Sequence, residues 1–195
     1  KNEYRVQGPD IVLEIEDVKV EKQLSKDETN KIISLLNLMP NGVQTMSKNI
    51  DGLVESSLNL GVIEFNEEKV TLISAIRSSV KTLKDEIVDR IKILSLLLEA
   101  KAETHSDYPE WQYEPDSVIR ELCIATFKEI HGYNPKIDAI HAGLECGLLK
   151  EKMQDVDMIS FGPNLYDVHT PEEHMSISSV QSLWIFLKKL LKNMK

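Results

Sequence analysis

One amphipathic segment constrains the fold of this chain more than any other feature. Six apolar residues recur 3, 4, 4, 3 and 4 positions apart, the spacing of one face of a helix: Val80, Leu83, Ile87, Ile91, Leu94 and Leu98. Just before them, apolar residues alternate over 58–62 and 70–76 on either side of a polar turn at 66–69. This alternation predicts a β-hairpin. We therefore expect a sheet to cover the apolar face of the helix.

Two further elements are predicted ahead of the hairpin. Apolar residues at 11, 13, 15, 18 and 20 lie among charged ones and indicate a half-buried strand. Ser25 and Glu28 have the spacing of a capping box, and the helix they begin should end at Pro40, Asn41 and Gly42. The order strand, helix, strands, helix predicts an α+β ferredoxin-like domain. We assign it residues 1–106.

A different pattern follows an irregular stretch at 104–115 that is rich in proline and aromatic residues. Asp116 or Ser117 can cap a helix that Gly132 ends. Short strands are predicted at 137–140 and 158–161, a helical connection at 144–152 and a final helix at 177–194. This alternation predicts an α/β organisation for 107–195. Strands joined by a helical crossover are parallel, so the loops after them should meet at one edge of the sheet.

Charge and hydropathy exclude two classes of partner. The net charge is -9 and the pI is near 5.1, so the surface repels phosphate backbones, and we expect no nucleic-acid binding. No apolar run approaches the roughly 20 residues of a membrane span, so no membrane partner is expected. Two cysteines and no visible signal peptide favour the cytoplasm. The first residue is Lys1 rather than Met, which leaves a missing amino-terminal half open.

The loops after the two predicted strands carry the residues with chemical potential. His169 lies beside Asp167, Thr170 and Glu172, and a neutral imidazole in such a loop can ligate zinc. On spacing alone, a hydrogen-bonding surface histidine is the more common case, and His174 is a weaker candidate. One imidazole cannot supply the three or four ligands that a zinc site needs.

The other loop, His141 to Gly147, contains one carboxylate between two glycines. Glu145 could face a ligand there, or it could be an acid at a helix start that favours the positive end of the helix dipole. His141 by itself indicates a structural role. The chain has no GxSxG elbow, phosphate-binding glycine loop or HExxH helix, and Cys146 has no evident base partner. Serine hydrolases, nucleotide enzymes and the simplest metalloproteases therefore find no support.

Three segments together resemble the aminoacyl-histidine dipeptidases: NGVQTMSKNIDGLVESSLNLGVI, AIHAGLECGLLKEK and DMISFGPNLYDVHTPEE. They run from about residue 41 towards the end of the chain. The resemblance implies an α/β zinc-peptidase domain interrupted by a lid. Residues 1–106 would be a partial, dimerising lid, and 107–195 the carboxyl-terminal segment of the catalytic domain.

The resemblance also implies a chemistry and its site residues. Two zinc ions share a bridging carboxylate and activate a water, and a glutamate accepts its proton before attack on an Xaa-His dipeptide such as β-alanyl-histidine. His169 matches the last zinc-binding histidine of the family, in the segment DVHTPEE. Glu145 and His141 match the loop that lines the substrate pocket. Arg77 resembles a lid arginine directed at a substrate carboxylate, for which a planar guanidinium is suited.

Most of the family's catalytic groups have no counterpart in this chain. We therefore expect the chain alone to be inactive, and its partners to be a dipeptide, a missing amino-terminal catalytic segment and a second subunit in a homodimer. Two other classes stay open: a noncatalytic peptide-binding or dimerisation module, and a hydrolase of another mechanism. Activity that survives chelation would support the last.

Overall fold

The computed structural model describes Gly8, Val12 and residues 14–20, 22–139 and 144–194. The chain divides into two compact units, Lys1–Asn37 and Leu38–Lys195. The elements of the described residues are, in chain order, α1 (Lys26–Leu38), β1 (Gly42–Met46), β2 (Val54–Phe65), β3 (Val70–Ser78), α2 (Lys81–Leu97), α3 (Val118–His131), α4 (Glu145–Lys152), β4 (Leu165–Tyr166), β5 (His174–Met175) and α5 (Ile177–Asn193). The composition of elements is mixed α and β.

The first helix begins with the predicted capping box. The Ser25 backbone N–H donates to Glu28 Oε2 at 2.8 Å, and the Glu28 N–H donates to Ser25 Oγ at 3.2 Å. Two amides that the first turn would leave without a helical acceptor are therefore satisfied by side chains. The hydrogen bonds to Ser25 hold the pKa of Glu28 below its ordinary value. The prediction of this helix is confirmed.

The strand predicted before α1 is wrong for the residues that can be checked. Val12 and residues 14–20 form no strand, and the apolar side chains at 12, 15, 18 and 20 are exposed, Ile15 at 91%. Residues 11 and 13 lie outside the described residues. Alternation marks a segment that suits a sheet, but a strand exists only where a neighbour supplies ladder hydrogen bonds.

Strands β1, β2 and β3 form an antiparallel sheet in that order, and the predicted hairpin is its β2–β3 pair. Asn66 closes the turn: its N–H donates to the Lys69 carbonyl at 3.1 Å, and its Oδ1 accepts from the amides of Glu68 and Lys69 at 2.9 Å each. Leu58 of the central strand is buried. The pairing slips between Leu60 and Val62, where Gly61 has no partner in the register.

Helix α2 contacts β3, as the amphipathic spacing predicts, and its residue Ile87 is buried. The turn that connects them is closed by Ser78. Its hydroxyl lies 3.0 and 2.9 Å from the carbonyl oxygens of Glu55 and Val80, either of which can accept its single proton, and it accepts from the Val80 amide at 3.0 Å. The sheet and this helix agree with an α+β first part. The finer ferredoxin-like arrangement needs a fourth strand, which the described residues do not form.

Residues 104–115 contain neither helix nor strand, as predicted, and α3 follows them. Ser117 is its N-cap and accepts from the Arg120 amide, while Gly132 ends the helix in a left-handed conformation at φ 78°. Helix α3 packs against α5, and Cys123, Phe186 and Leu190 form the buried centre of this contact. Partly buried apolar residues surround that centre: Ile119, Leu122, Phe127, Ile130, Ile159 and Leu183.

The two parallel strands predicted in the second part are wrong within the described residues. Residues 137–139 and 158–161 form no strand, and Ile140 lies outside the described part of the chain. Ile159 is nevertheless half-buried against the α3–α5 cluster. The apolar pattern at 158–161 therefore reflects packing, since no described segment offers it a ladder. The helix at 144–152 and the final helix agree with α4 and α5.

None of the described helices is long and apolar enough to cross a membrane.

Candidate functional site

A short hairpin presents the histidine that the sequence analysis singled out. Strands β4 and β5 pair antiparallel, Leu165 with Met175 and Tyr166 with His174, and residues 167–173 form the loop between them. Asp167 closes its first turn, because its carbonyl accepts from the Thr170 amide at 3.2 Å and the Thr170 hydroxyl at 2.7 Å. A second turn follows from the Glu173 amide to the Thr170 carbonyl at 3.1 Å. The loop is thus held by its own hydrogen bonds.

His169 lies at the tip of this loop in an uncommon backbone conformation. Its φ is 66°, in the left-handed region that residues with a Cβ seldom adopt, and Asp167 is also left-handed at φ 49°. The His169 amide donates to Glu173 Oε2 at 3.2 Å. Its side chain is exposed, and within the described residues the imidazole makes no hydrogen bond or ion pair. The ring is therefore free to take a ligand from outside.

His174 differs from His169 in that its ring is already engaged. Its Nδ1 lies 2.8 Å from the Glu172 carbonyl oxygen and 3.5 Å from Asp167 Oδ2, and the ring stacks on Tyr166 with centroids 5.1 Å apart. These contacts fix one nitrogen and one face of the imidazole. The ring supports the hairpin that carries His169, a role that its position in the loop does not by itself predict.

The base of the hairpin is anchored to helix α5. The Ser176 amide donates to the Asn164 carbonyl at 3.1 Å, and the Asn164 amide donates to Ser179 Oγ at 2.9 Å. Ser176 is also the N-cap of α5, accepting from the Ser179 amide at 3.3 Å. This anchor was not predicted, although a serine directly before an apolar helical run is the usual signal for an N-cap.

A cavity of about 920 Å³ borders this anchor. Its apolar wall includes Phe127, Phe161 and Phe186, and its polar rim includes Asn164 and Ser176 from the base of the hairpin. Leu144, the residue before Glu145, also lines it. The cavity lining therefore reaches the residue before Glu145 and the base of the hairpin that carries His169, but it includes neither Glu145 nor His169.

Glu145 is the first residue of α4, and its side chain is exposed. A carboxylate in this position favours the positive end of the helix dipole, so its helix-start interpretation holds in the structure. Gly147, in the same helix, is buried because the chain passes close to it. A Cβ at Gly147 would lie 2.5 Å from the Pro109 carbonyl oxygen. The glycine thus admits a backbone neighbour, as its position next to Glu145 suggested, but the neighbour is a segment of the protein.

The remaining predicted site residues are placed as follows. Arg77 lies on β3 opposite Ser57 and is exposed, and its guanidinium makes no hydrogen bond or ion pair with the described residues. His141 lies outside the described residues. The structure does not bring Arg77 into contact with Glu145 or His169. Their roles remain predictions.

The imidazole of His169 can supply one ligand of a zinc site, and the remaining ligands have to come from other residues. In the described ranges, no three histidine, cysteine or acidic side chains converge in a way that could hold a metal ion. Zinc in proteins takes three or four protein ligands. These residues do not hold zinc by themselves, and a complete site would need donors from elsewhere.

No protein-family model matches the chain, whereas a curated protein and a solved structure do. The chain is 37% identical over 193 residues to the cytosol non-specific dipeptidase of Escherichia coli (strain K12). The alignment covers 98% of this chain and 40% of that protein. The crystal structure of aminoacylhistidine dipeptidase from Vibrio alginolyticus superposes with a TM-score of 0.88 at 37% identity, over 98% of this chain and 39% of that one. The chain thus spans about two fifths of the length of its relatives. The predicted resemblance is confirmed: over nearly all of its length, this chain is homologous to part of a dipeptidase.

Proposed function

We propose that this chain is the carboxyl-terminal part of a metal-dependent dipeptidase that hydrolyses Xaa-His dipeptides such as β-alanyl-histidine. The homology to two dipeptidases over 98% of the chain carries the proposal. The substrate preference follows the name of the Vibrio relative, and the cytoplasmic location follows the name of the Escherichia coli one. Residues 1–106 would belong to a ferredoxin-like, dimerising lid and 107–195 to the catalytic domain.

In this proposal His169 supplies one zinc ligand. Two observations support it: the imidazole is exposed and uncommitted, and the loop that carries it is fixed by hydrogen bonds. Zinc bound at such a site lowers the pKa of a water molecule and so generates a nucleophile at neutral pH. The other ligands and the general base would come from a segment that this chain does not contain.

Substrate contacts are proposed for residues on two other elements. Glu145 and His141 would approach the polar end of the dipeptide, and Arg77 would pair with its carboxylate. The exposure of Arg77 and Glu145 supports this, since each has a charged group that can reach an outside ligand. A planar guanidinium can bind a carboxylate through two parallel hydrogen bonds.

The test compares this chain with the same chain extended to the full length of its relatives. Zinc-supplemented hydrolysis of β-alanyl-histidine should occur in the extended protein and not in the 195-residue chain. His169→Ala should lower kcat/KM by at least about 100-fold, because loss of a direct ligand exceeds the effect of its supporting groups. Bound zinc, measured by elemental analysis, should fall with it.

His105→Ala is the matched control, because His105 is also an exposed loop histidine, 3.6 Å from Glu103. It should leave activity and zinc content unchanged. Hydrolysis by the short chain would contradict the proposal that its metal site is incomplete. Inactivity of both proteins, with peptide binding retained, would favour the second candidate, a noncatalytic peptide-binding module, for which the 920 Å³ cavity is the supporting observation.

A further inference from the structure

Helix α2 contacts the segment 107–110 through the partly buried side chain of Lys84. The Lys84 ammonium lies 2.5 Å from Asp107 Oδ1 and 3.1 Å from the Tyr108 carbonyl oxygen, and forms an ion pair with Glu110. The side chains of Lys84 and Glu110 are only 14% and 12% exposed. An ammonium has three donors, and here three acceptors of one short segment surround it.

Helix α4 touches the same segment from another side. An ideal Cβ at Gly147 would lie 2.5 Å from the Pro109 carbonyl oxygen, 3.3 Å from the Pro109 carbonyl carbon and 3.5 Å from that of Glu110. Real Cβ atoms do not approach backbone so closely, so α4 can occupy its place only because residue 147 is glycine. Pro109, whose carbonyl lies closest to α4, therefore stands between residues that Lys84 contacts on either side, Tyr108 and Glu110.

The contacts form a short continuous path from α2 to the amino end of α4. It runs from Lys84 through the 107–110 segment to Gly147, two positions after Glu145. A chain of packed groups such as this one can carry energetic coupling between separated sites. An ion pair that is mostly removed from water is also costly to break on one side only.

We propose that Lys84 is a positioning residue: by holding the 107–110 segment, it fixes the amino end of α4 and so the place of the Glu145 carboxylate. The role of Glu145 in substrate binding rests on the function proposed above, whereas the coupling between α2 and α4 does not. Neither Lys84 nor the 107–110 segment touches the hairpin of His169 in the described structure.

The contacts between Lys84 and residues 107–110 persist at neutral pH. Burial alone would lower the pKa of Lys84, but its hydrogen bond to Asp107 and the negative charges of Asp107 and Glu110 together outweigh burial and raise the pKa above its ordinary value. The hydrogen bond from Lys84 likewise holds the pKa of Asp107 below its ordinary value. Both partners are charged across the neutral range, so this contact acts as a permanent support.

A double-mutant cycle in the 195-residue chain tests the coupling. Gly147→Ala should lower the denaturant midpoint of unfolding, because its methyl group meets the Pro109 carbonyl. In a Lys84→Met background the segment can give way, so the shift caused by Gly147→Ala should shrink by about half or more. Equal shifts in both backgrounds would overturn the proposal.

Two matched controls accompany the cycle. Lys81→Met removes a lysine of the same helix whose ion pair with Asp85 is exposed, and the Gly147→Ala shift should be the same in this background as in the wild type. Gly162→Ala adds a methyl group where no atom lies within 4 Å, and its effect should not depend on residue 84. If Lys84→Met does not fold, Glu110→Gln replaces it in the same cycle.

Cys146 gives a local readout at the end of the path. It is half-buried next to Gly147, and burial first, then the Glu145 carboxylate, raise the pKa of its thiol. Release of α4 should expose the thiol, so Lys84→Met should speed its alkylation by at least about threefold, as local opening does. Peptide mass spectrometry separates it from the buried Cys123. An unchanged rate would count against the proposal.

The functional consequence is measured in the full-length dipeptidase. Lys84→Met should raise the KM for the dipeptide by a larger factor than it lowers kcat, while Lys81→Met changes neither. An unchanged KM would overturn the positioning role even if the cycle shows coupling. If the wild-type protein hydrolyses no dipeptide, the proposed function fails, and the cycle and the thiol rates still decide whether Lys84 holds α4.

Discussion

Asp157 stabilises helix α3, whose N-cap Ser117 lies 40 residues before it in the chain. Its Oδ1 accepts from the Ser117 hydroxyl at 2.8 Å, and its Oδ2 accepts from the Ile119 amide at 2.9 Å. The hydrogen bond from the Ile119 amide, together with that from the Ser117 hydroxyl, holds the pKa of Asp157 below its ordinary value, although the slight desolvation of this exposed side chain opposes it. One carboxylate thus completes the cap of α3 and ties residue 157 to it.

Replacement of this carboxylate should destabilise the protein in a pH-dependent way. Asp157→Ala should lower the free energy of unfolding at pH 7 by about 1 kcal/mol, the usual effect of losing a helix cap. A depressed folded-state pKa stabilises fully above the unfolded-state pKa, and this contribution is lost as the pH falls through the folded-state value. The difference between variant and wild type should therefore vanish in acid.

Denaturant unfolding measured from neutral to acidic pH checks this expectation. Asp155→Ala is the control, because Asp155 is exposed and lies two positions away. A destabilisation by Asp157→Ala that is the same at every pH would show that the charge of the carboxylate is not what matters.

The contacts of a residue can be predicted from the sequence where its partner is near in the chain, and they are missed where the partner is far away in the chain. The capping box of Ser25 and Glu28 is complete within one helical turn, so its spacing was sufficient. Ser117 was one of two cap candidates, but no local pattern connects it to Asp157. His169 was found as a loop residue and as a family match, whereas its left-handed backbone follows from hydrogen bonds that spacing does not show.

Among the elements, the β2–β3 hairpin depends on a turn that Asn66 organises. Asn66→Ala removes an oxygen that accepts from two backbone amides, those of Glu68 and Lys69. We expect unfolding to become easier by roughly 1 kcal/mol, about the net value of one or two such hydrogen bonds. Thermal unfolding provides the measurement.

Lys69→Ala serves as the control for the turn, because it keeps the Lys69 amide that donates to Asn66. It should be nearly neutral. Amide exchange at β2 and β3 should quicken in Asn66→Ala and stay unchanged in α3 and α5, since the hairpin makes its own hydrogen bonds. A uniform change across the protein would point to a different origin.

Elements were predictable where the chain supplies its own hydrogen bonds. Helices α1 to α5 satisfy this condition, and so does the hairpin, whose strands are joined by a four-residue turn. The strands predicted at 11–20, 137–140 and 158–161 do not satisfy it, because each of them needs hydrogen bonds from a partner strand in another part of a protein. Apolar alternation records the suitability for a sheet and not the presence of a neighbour.

At the scale of the whole molecule, the second unit has an open apolar cavity beside a small buried centre. Exposed apolar surface binds anilinonaphthalene sulfonate dyes. The native 195-residue chain should therefore enhance the fluorescence of an anilinonaphthalene sulfonate dye. Phe161→Ser should reduce the enhancement, because Phe161 lines the cavity and its ring centroid lies 5.1 Å from that of Phe186.

Phe65→Ser is the control for the cavity, because Phe65 is also an exposed phenylalanine, at 65%, but lies at the end of β2 outside the cavity. It should leave dye binding nearly unchanged. Equal losses in the two variants would mean that the dye binds scattered apolar side chains rather than the cavity.

The close approach between Gly147 and the Pro109 carbonyl also restricts which amino-acid substitutions this protein can accept during evolution. No side chain fits at 147 while the Pro109 carbonyl stays in place. A larger residue there becomes acceptable only after the 107–110 segment has moved, through an insertion, a deletion or the loss of its proline. Substitutions at the two places should therefore occur together among related sequences, and a library randomised at both should yield folded variants that neither position allows alone.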